Sequence, residues 1–146
     1  MTLREITLLT KEEYERYRSA IPVVDDSWWL RSPGYTRLRI AAVDNVGNVN
    51  EHGCYIDYTY ATVRPALRLD LEPSDNLFWY KPERLIGTKI KYGNHQWTVL
   101  NLEPGSIYAL CDTVVSSGRF DGKSNDWDTS ELKQWLETEG LKLITG

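Results

Sequence analysis

The sequence predicts a soluble α+β domain of many short antiparallel strands, two helices and long irregular loops. Three observations carry this prediction: apolar and polar residues alternate over several short stretches, turn residues recur between these stretches, and two capping-box patterns each precede a helical stretch. Hydrophobic residues make up 41% of the 146 residues and charged residues 26%, which is ordinary for a chain that builds its own core.

The first elements are a strand and a helix. Leu3 to Leu9 alternates loosely, which is typical of a short strand. Thr10-Lys-Glu-Glu13 has the form of a capping box, in which the Thr and Glu side chains each accept a backbone N–H of the other residue. A helix of about ten residues should follow and end at Pro22, because the residue before a proline is driven out of helical dihedrals.

Short antiparallel strands are expected from Arg37 to Leu71, since turn residues at 44–48 and 51–53 interrupt a period-two pattern. The last of these strands is predicted to run from Ala61 to Leu71. Pro65 lies within it and donates no ladder hydrogen bond, so an edge or a bulge is expected at that position.

The second half predicts a hairpin over 87–100 with its turn at Gly93-Asn94, then a strand over 106–112. Asp128-Thr-Ser-Glu131 is a second capping-box pattern before the apolar stripe of Leu132, Trp135 and Leu136. We therefore expect one domain with a first half at 1–71, a connector at 72–85 pinned by Trp79, and a second half at 86–146.

Composition disfavours several classes of function. The net charge of −4 comes from 21 acids and 17 bases without a basic tract, so direct nucleic-acid binding is not expected. Cys54 and Cys111 lie outside any C-x-x-C spacing, which predicts reduced thiols and no zinc site. The sequence shows no leader-like start and no apolar run of about 18 residues, so we expect a cytoplasmic protein with no membrane span, cofactor or metal.

Four sequence blocks together resemble a family of uncharacterised domains common in gut Firmicutes and their phages. The blocks are Trp28-Trp-Leu-Arg-Ser-Pro-Gly34, Val63-Arg-Pro-Ala-Leu67, the G-x-x-I-x-x-G … W-x-V-L pattern over 87–100, and the W-x-x-S-x-L-x-x-W-L pattern over 127–136. The resemblance implies a C-type-lectin-like fold, distantly similar to formylglycine-generating enzymes, and a phage or prophage origin.

The order of the blocks departs from that family. There the last two blocks usually precede WWLRSPG, whereas here they follow it, which implies a circular permutation. Such an order is compatible with a closed monomer or with a swapped homodimer, in which each first half completes the partner's second half. The closed monomer is the favoured interpretation.

The large side chains of WWLRSPG have two interpretations. Trp28 and Trp29 can form a stacking platform with Arg31 as an anion clamp, or they can anchor the core while Arg31 ties a loop down. The structural interpretation is favoured, and it extends to Arg64. The expected structural anchors are Trp28, Trp29, Arg31, Arg64, Trp97 and Trp135.

Tyrosine, asparagine and aspartate crowd the stretch between the two anchor blocks of the first half, WWLRSPG and VRPAL. These residue types are typical of adaptable binding loops, in which rigid aromatic rings supply contact area at low entropic cost. The candidate partner-binding residues are Tyr35, Asn45, Asn48, Tyr55, Asp57, Tyr58 and Tyr60. The alternative, that tyrosine and asparagine simply suit strands and turns, stays open.

The leading hypothesis is a non-enzymatic module that recognises a protein partner through this stretch. A second hypothesis is a phage-encoded inhibitor of a host defence protein, which would cover a basic channel with acids near the C-terminus: Asp121, Asp126, Asp128, Glu137 and Glu139. The third is a metal-dependent oxidase or a hydrolase, for which His52 and Cys54 offer a nucleophile and base without a recognisable third group to orient them.

Overall fold

The computed structural model describes residues 1–75 and 85–146. Within these residues, strands and helices combine as the α+β prediction requires. In the same part of the chain, no helix has the length and apolar character needed to cross a membrane. Most of the expected connector, including Trp79, lies outside the described residues.

Ten strands are described, and they form two five-stranded sheets. The strands are β1 (Thr2–Thr7), β2 (Trp28–Pro33), β3 (Arg39–Val43), β4 (Val49–Tyr55), β5 (Thr62–Val63), β6 (Ala66–Asp70), β7 (Lys89–Tyr92), β8 (His95–Glu103), β9 (Ser106–Cys111) and β10 (Ser116–Ser117). Sheet I has the order β1-β6-β9-β8-β7 and is antiparallel throughout. Sheet II has the order β10-β5-β2-β3-β4, with one parallel pair between β2 and β5.

In residues 1–75 and 85–146, two longer helical segments accompany the sheets. The first is α1 (Lys11–Tyr17), extended by a 3-10 turn at Arg18–Ala20. The second contains α2 (Glu131–Trp135), a π-helical turn at Leu136–Gly140 and α3 (Leu141–Thr145).

The two predicted capping boxes have different outcomes. At α1 the box is confirmed, because the Thr10 side chain accepts the Glu13 N–H and the Glu13 side chain accepts the Thr10 N–H. At α2 the prediction is wrong: the helix begins at Glu131, and its N-cap is Ser130, which accepts the Lys133 N–H. A 3-10 turn, capped by Asp126, occupies the preceding residues instead.

Residues 61–71 do not form the single strand that the sequence predicted. The chain leaves sheet II after Val63 and enters sheet I at Ala66, with Pro65 between the two strands. Pro65 has no N–H to offer either ladder, and its carbonyl accepts the N–H of Cys111. The proline therefore marks the passage from one sheet to the other.

The core consists of two clusters, and each sheet contributes to both. The larger contains Trp29, Leu67 and the α2 residue Leu132, and the smaller contains Trp28 and the α1 residue Tyr14. Adjacent residues of β2 enter different clusters because successive side chains of a strand point to opposite faces. Sheet II thus holds aromatic side chains on both of its faces.

Candidate functional site

The tryptophans of WWLRSPG are core residues. Trp28 is 1% exposed and meets Tyr14 edge-on, with ring centroids 5.4 Å apart. Trp29 is 0% exposed, and its Nε1 donates to the Gly118 carbonyl at 2.9 Å. The structure thus buries both rings, and neither presents a face on which a ligand stacks.

The two arginines named as anchors bind the main chain. Arg31 Nε donates to the Leu8 carbonyl at 2.9 Å, and its Nη2 lies 3.7 Å from a Glu13 carboxylate oxygen. Arg64 is fully buried and donates from Nε to the Cys111 carbonyl and from Nη1 to the Pro22 carbonyl. Burial lowers the pKa of the Arg64 guanidinium.

The remaining two anchors belong to the larger cluster. Trp97 is fully buried, and its Nε1 donates to the Tyr92 carbonyl at 3.0 Å. Trp135 is half-buried against the same cluster. Its ring packs so closely on Gly140 that a Cβ there would lie 2.8 Å from the ring.

Five large side chains are exposed where sheet II meets two of its connections. We call Tyr35, Leu38, Tyr55, Tyr58 and Tyr60 the tyrosine surface; they are between 44% and 78% exposed. Tyr35 and Leu38 lie in the β2–β3 connection, Tyr55 ends β4, and the other two lie in the β4–β5 connection. The two connections touch, because the Ile56 N–H donates to the Leu38 carbonyl.

The β2–β3 connection is fixed by backbone hydrogen bonds. The Gly34 N–H donates to the Arg39 carbonyl and the Tyr35 N–H donates to the His52 carbonyl, each at 2.9 Å. A Cβ on Gly34 would lie only 2.5 Å from the His52 carbonyl oxygen, so this crossing needs a glycine. The last residue of WWLRSPG therefore lets the tyrosine surface form.

Asn125, in the second half of the chain, also fixes the β2–β3 connection. The Asn125 side-chain amide donates to the carbonyls of Thr36 and Arg39, and its backbone N–H donates to the Arg37 carbonyl. One asparagine thereby satisfies three main-chain carbonyls of an irregular loop, and such side-chain bonds commonly replace ladder bonds in connections.

The β4–β5 connection is also pinned at both ends. Ile56 is 3% exposed, and its carbonyl accepts the N–H groups of Phe120 and Asp121. At the other end the Gly118 N–H donates to the Ala61 carbonyl. The exposed tyrosines are thus carried by a backbone that the core and the second half hold in place.

Aromatic contacts order several rings of the surface. The Tyr58 and Tyr60 centroids are 5.5 Å apart, and the Tyr35 ring lies 4.7 Å from that of His52. The Arg39 guanidinium lies 4.1 Å from the centre of the Tyr55 ring and donates to the Gly53 carbonyl.

The predicted asparagines do not join the tyrosines. Asn45 and Asn48 lie in the β3–β4 turn, which is at the opposite end of this hairpin from Tyr55, about 14 Å away along a five-residue strand. Asn48 accepts a hydrogen bond from Arg18. The structure therefore separates the candidate set into a turn and a tyrosine surface.

Asp57 lies beside a depression of about 440 Å³ at the edge of the tyrosine surface. The depression is lined by Leu38, Tyr55, Ile56, Asp57 and Gly122. The turn that carries Asp57 closes through the Tyr58 N–H and the Tyr55 carbonyl, at 3.0 Å.

The acidic residues near the C-terminus have different roles. Asp121 is 6% exposed and accepts the N–H groups of Lys123, Ser124 and Glu131. Burial acts to raise its pKa, but these bonds outweigh burial and the pKa is lowered. Asp126 caps the 3-10 turn. Of the proposed inhibitory acids, the exposed ones without a capping role are Asp128, Glu137 and Glu139.

The side chains of His52 and Cys54 each contact a different residue. The His52 ring packs against Tyr35, and the Cys54 sulfur accepts a hydrogen bond from Asn50. Burial raises the pKa of the Cys54 thiol, which favours the protonated form. Within residues 1–75 and 85–146, three or more His, Cys, Asp or Glu side chains nowhere come together to hold a metal.

Part of the chain is similar to a described family. A family model described as "Domain of unknown function (DUF6273)" matches residues 5–71. The match begins within β1, continues through β6, and includes both WWLRSPG and VRPAL. No curated protein matches the chain, and no solved structure matches it.

Proposed function

We propose that this chain is a non-enzymatic binding module that recognises a protein partner through the tyrosine surface. The observation that carries the proposal is a set of exposed aromatic rings on two connections whose backbones are hydrogen-bonded to each other and to neighbouring segments. Tyrosine is enriched among residues that dominate protein–protein binding energy, because it offers a large rigid ring with a polar hydroxyl.

Preorganisation supports this function. A loop that is ordered only on binding loses conformational entropy at that moment, which weakens the complex. Here the two connections are joined by Ile56 N–H to Leu38 C=O and are held from the second half by Asn125. Such a surface binds a partner with little rearrangement of its main chain.

The C-type-lectin-like relationship, the permuted block order, the phage or prophage origin and the cytoplasmic location belong to the same proposal. The four-block resemblance supports the first three. An experimental structure of a relative that carries the blocks in the more usual order would test the first two. Superposition of its sheets on sheets I and II, with the connections rewired, is the expected result, and unrelated sheets would contradict the relationship.

Affinity capture from host lysate tests the recognition function. Wild type, the Tyr55→Ala/Tyr58→Ala double variant and a Val23→Ala/Val46→Ala control are compared, since both valines are 63% exposed away from the tyrosine surface. We expect one protein to be retained by wild type and control and lost by the tyrosine variant. The affinity for the purified partner should fall about thirtyfold or more if even one tyrosine is a hot spot.

The stability of the same variants must be measured in parallel. Exposed substitutions typically change the free energy of unfolding by less than about 0.5 kcal/mol, so both double variants should unfold near the wild-type midpoint. Capture that survives the tyrosine substitutions contradicts the proposal. Unfolding of the tyrosine variant contradicts it as well, because the rings would then be structural.

A further inference from the structure

We propose that the depression beside Tyr55 receives an arginine or lysine side chain of the protein partner, with Asp57 as its counter-ion. This inference rests on the proposed function and specifies the partner's chemistry at the same surface. Three arguments support it: the residues that line the depression, the absence of a partner for Asp57 among the described residues, and the unfavourable electrostatic free energy of binding other kinds of side chain there.

The lining is mostly apolar. Leu38 and Tyr55 are 51% and 56% exposed, and Ile56, which also lines the depression, is a buried member of the larger core cluster. In the part of the chain that the structure describes, Asp57 contributes the single carboxylate of the lining, and no lysine, arginine or histidine lines the depression. The depression thus combines an aliphatic wall, an aromatic ring and one anion, which suits a long side chain with a cationic end.

The Asp57 carboxylate has no partner among the described residues. None of the ion pairs there involves it, and no hydrogen bond reaches it. Asp44, in the β3–β4 turn, uses its carboxylate locally: it accepts the N–H groups of Val46 and Asn48. The turn at Asp57 closes through backbone atoms instead, so its carboxylate is free to bind another molecule.

Arg39 does not supply the missing cation. Its guanidinium is placed over the Tyr55 ring and donates to the Gly53 carbonyl. This contact holds the aromatic wall in position and leaves Asp57 unpaired. An incoming cation would bind the carboxylate while its alkyl stem packs on Leu38 and the edge of Tyr55, as amphipathic side chains commonly do.

Other occupants are disfavoured by electrostatics. An acidic side chain would meet the Asp57 carboxylate as the complex excludes water, and like charges repel more strongly in that environment. An apolar side chain would cover the carboxylate and leave it desolvated without a partner. A cation leaves no uncompensated charge, so the site discriminates in its favour.

Selection from a displayed library of random linear peptides tests the inference. The immobilised full-length chain is used as wild type, as Asp57→Asn and as Asp26→Asn, which removes one exposed carboxylate at another place. Only peptides whose binding is lost on Tyr55→Ala/Tyr58→Ala are counted. We expect wild type and Asp26→Asn to select arginine or lysine at a common position, and Asp57→Asn to lose this preference.

One selected peptide then allows the coupling between its basic residue and Asp57 to be measured. Replacing its basic residue by citrulline, or by norleucine for lysine, should weaken binding to wild type about tenfold or more, and should change binding to Asp57→Asn much less. Two results would overturn the inference and leave the proposed function standing. One is that the tyrosine-dependent peptides share no basic position. The other is that replacing the basic residue weakens binding to wild type and to Asp57→Asn equally. If no selected peptide depends on the tyrosines, the proposed function fails together with it.

Discussion

Two aromatic regions of this chain differ in their burial. Trp28 and Trp29 are 1% and 0% exposed, whereas Tyr55 and Tyr60 are 56% and 78% exposed. The reason lies in the backbone: β2 is the central strand of sheet II, with core residues on both faces, while the two tyrosines lie at and beyond the end of β4. Aromatic density in the sequence alone therefore does not distinguish a buried anchor from an exposed surface.

The buried region also positions the exposed one. Trp29 Nε1 donates to the Gly118 carbonyl, and the Gly118 N–H donates to the carbonyl of Ala61, at the end of the β4–β5 connection. A short chain of hydrogen bonds thus runs from the core tryptophan to the loop that carries Tyr58 and Tyr60. Substitutions in the two regions should separate stability from recognition.

Trp29→Ala should have the largest effect on stability. The substitution opens a cavity in the larger cluster and removes the hydrogen bond to Gly118, so the free energy of unfolding should fall by about 3 to 5 kcal/mol. Urea denaturation followed by circular dichroism measures this loss. Trp29→Phe is the matched variant and should lose less, because it keeps a ring beside Phe120. A loss below about 1 kcal/mol for the alanine variant would contradict the anchor role.

Gly34→Ala should have the next largest effect, and it acts at the boundary between the two regions. The added Cβ would lie 2.5 Å from the His52 carbonyl oxygen and 2.9 Å from the Arg39 Cβ, so the main chain must move. Overpacking of this kind costs about 1 to 3 kcal/mol. The midpoint of thermal unfolding and the affinity for the partner should both fall.

Gly122→Ala is the control for this prediction. The nearest atoms to its added Cβ would be the ends of the Arg119 and Glu131 side chains, at 3.1 Å, and these can move aside. We expect little loss of stability. If Gly34→Ala is as well tolerated as Gly122→Ala, the close crossing of the β2–β3 connection over β4 is not what fixes the tyrosine surface.

Asp121→Asn should have a smaller and pH-dependent effect on stability. Asp121 lies beside the β4–β5 connection, because its N–H donates to the Ile56 carbonyl. The folded-state pKa of Asp121 is lowered, so its stabilisation is present above the unfolded-state value, about 3.9, and is lost as the pH falls through the folded-state pKa. At neutral pH the loss should be about 0.5 to 2 kcal/mol, as for other capping side chains.

Urea titrations of wild type and Asp121→Asn from pH 7 to pH 2.5 check this prediction. The difference between their free energies of unfolding should shrink toward the acid end. Asp57→Asn serves as the comparison, because its carboxylate binds nothing among the described residues and should give no such difference. If the difference in the free energy of unfolding between wild type and Asp121→Asn stays constant with pH, the ionised carboxylate is not the stabilising species.

Local signals account for what the sequence predicted correctly. The capping box at Thr10 and the hairpin turn at Gly93-Asn94 depend on residues a few positions apart, and both are present in the structure. The passage at Pro65 and the parallel pairing of β2 with β5 depend on contacts between distant parts of the chain. A single sequence specifies such contacts only through packing, which its periodicity does not express.

The candidate site shows the same difference between features set by local sequence and features set by distant contacts. Exposed tyrosines follow from residue type and loop position, so their positions were predictable. The separation of Asn45 and Asn48 from Tyr55 follows from the register of the β3–β4 hairpin, which places them at opposite ends. Asn125 was missed because its role requires its amide to meet carbonyls 89 and 86 residues earlier in the chain.

Tyr60→Ala should have the smallest effect on stability and so gives the sharpest contrast with Trp29. Its ring is 78% exposed and touches Tyr58 at a centroid distance of 5.5 Å, so little buried area is lost and the free energy of unfolding should change by less than about 0.5 kcal/mol. Urea denaturation provides the measurement. If Tyr60→Ala destabilises the fold by several times that amount, the loop is part of the core and the two regions are not distinct. If stability is retained while partner affinity falls, the ring acts only in recognition, because the core does not depend on it.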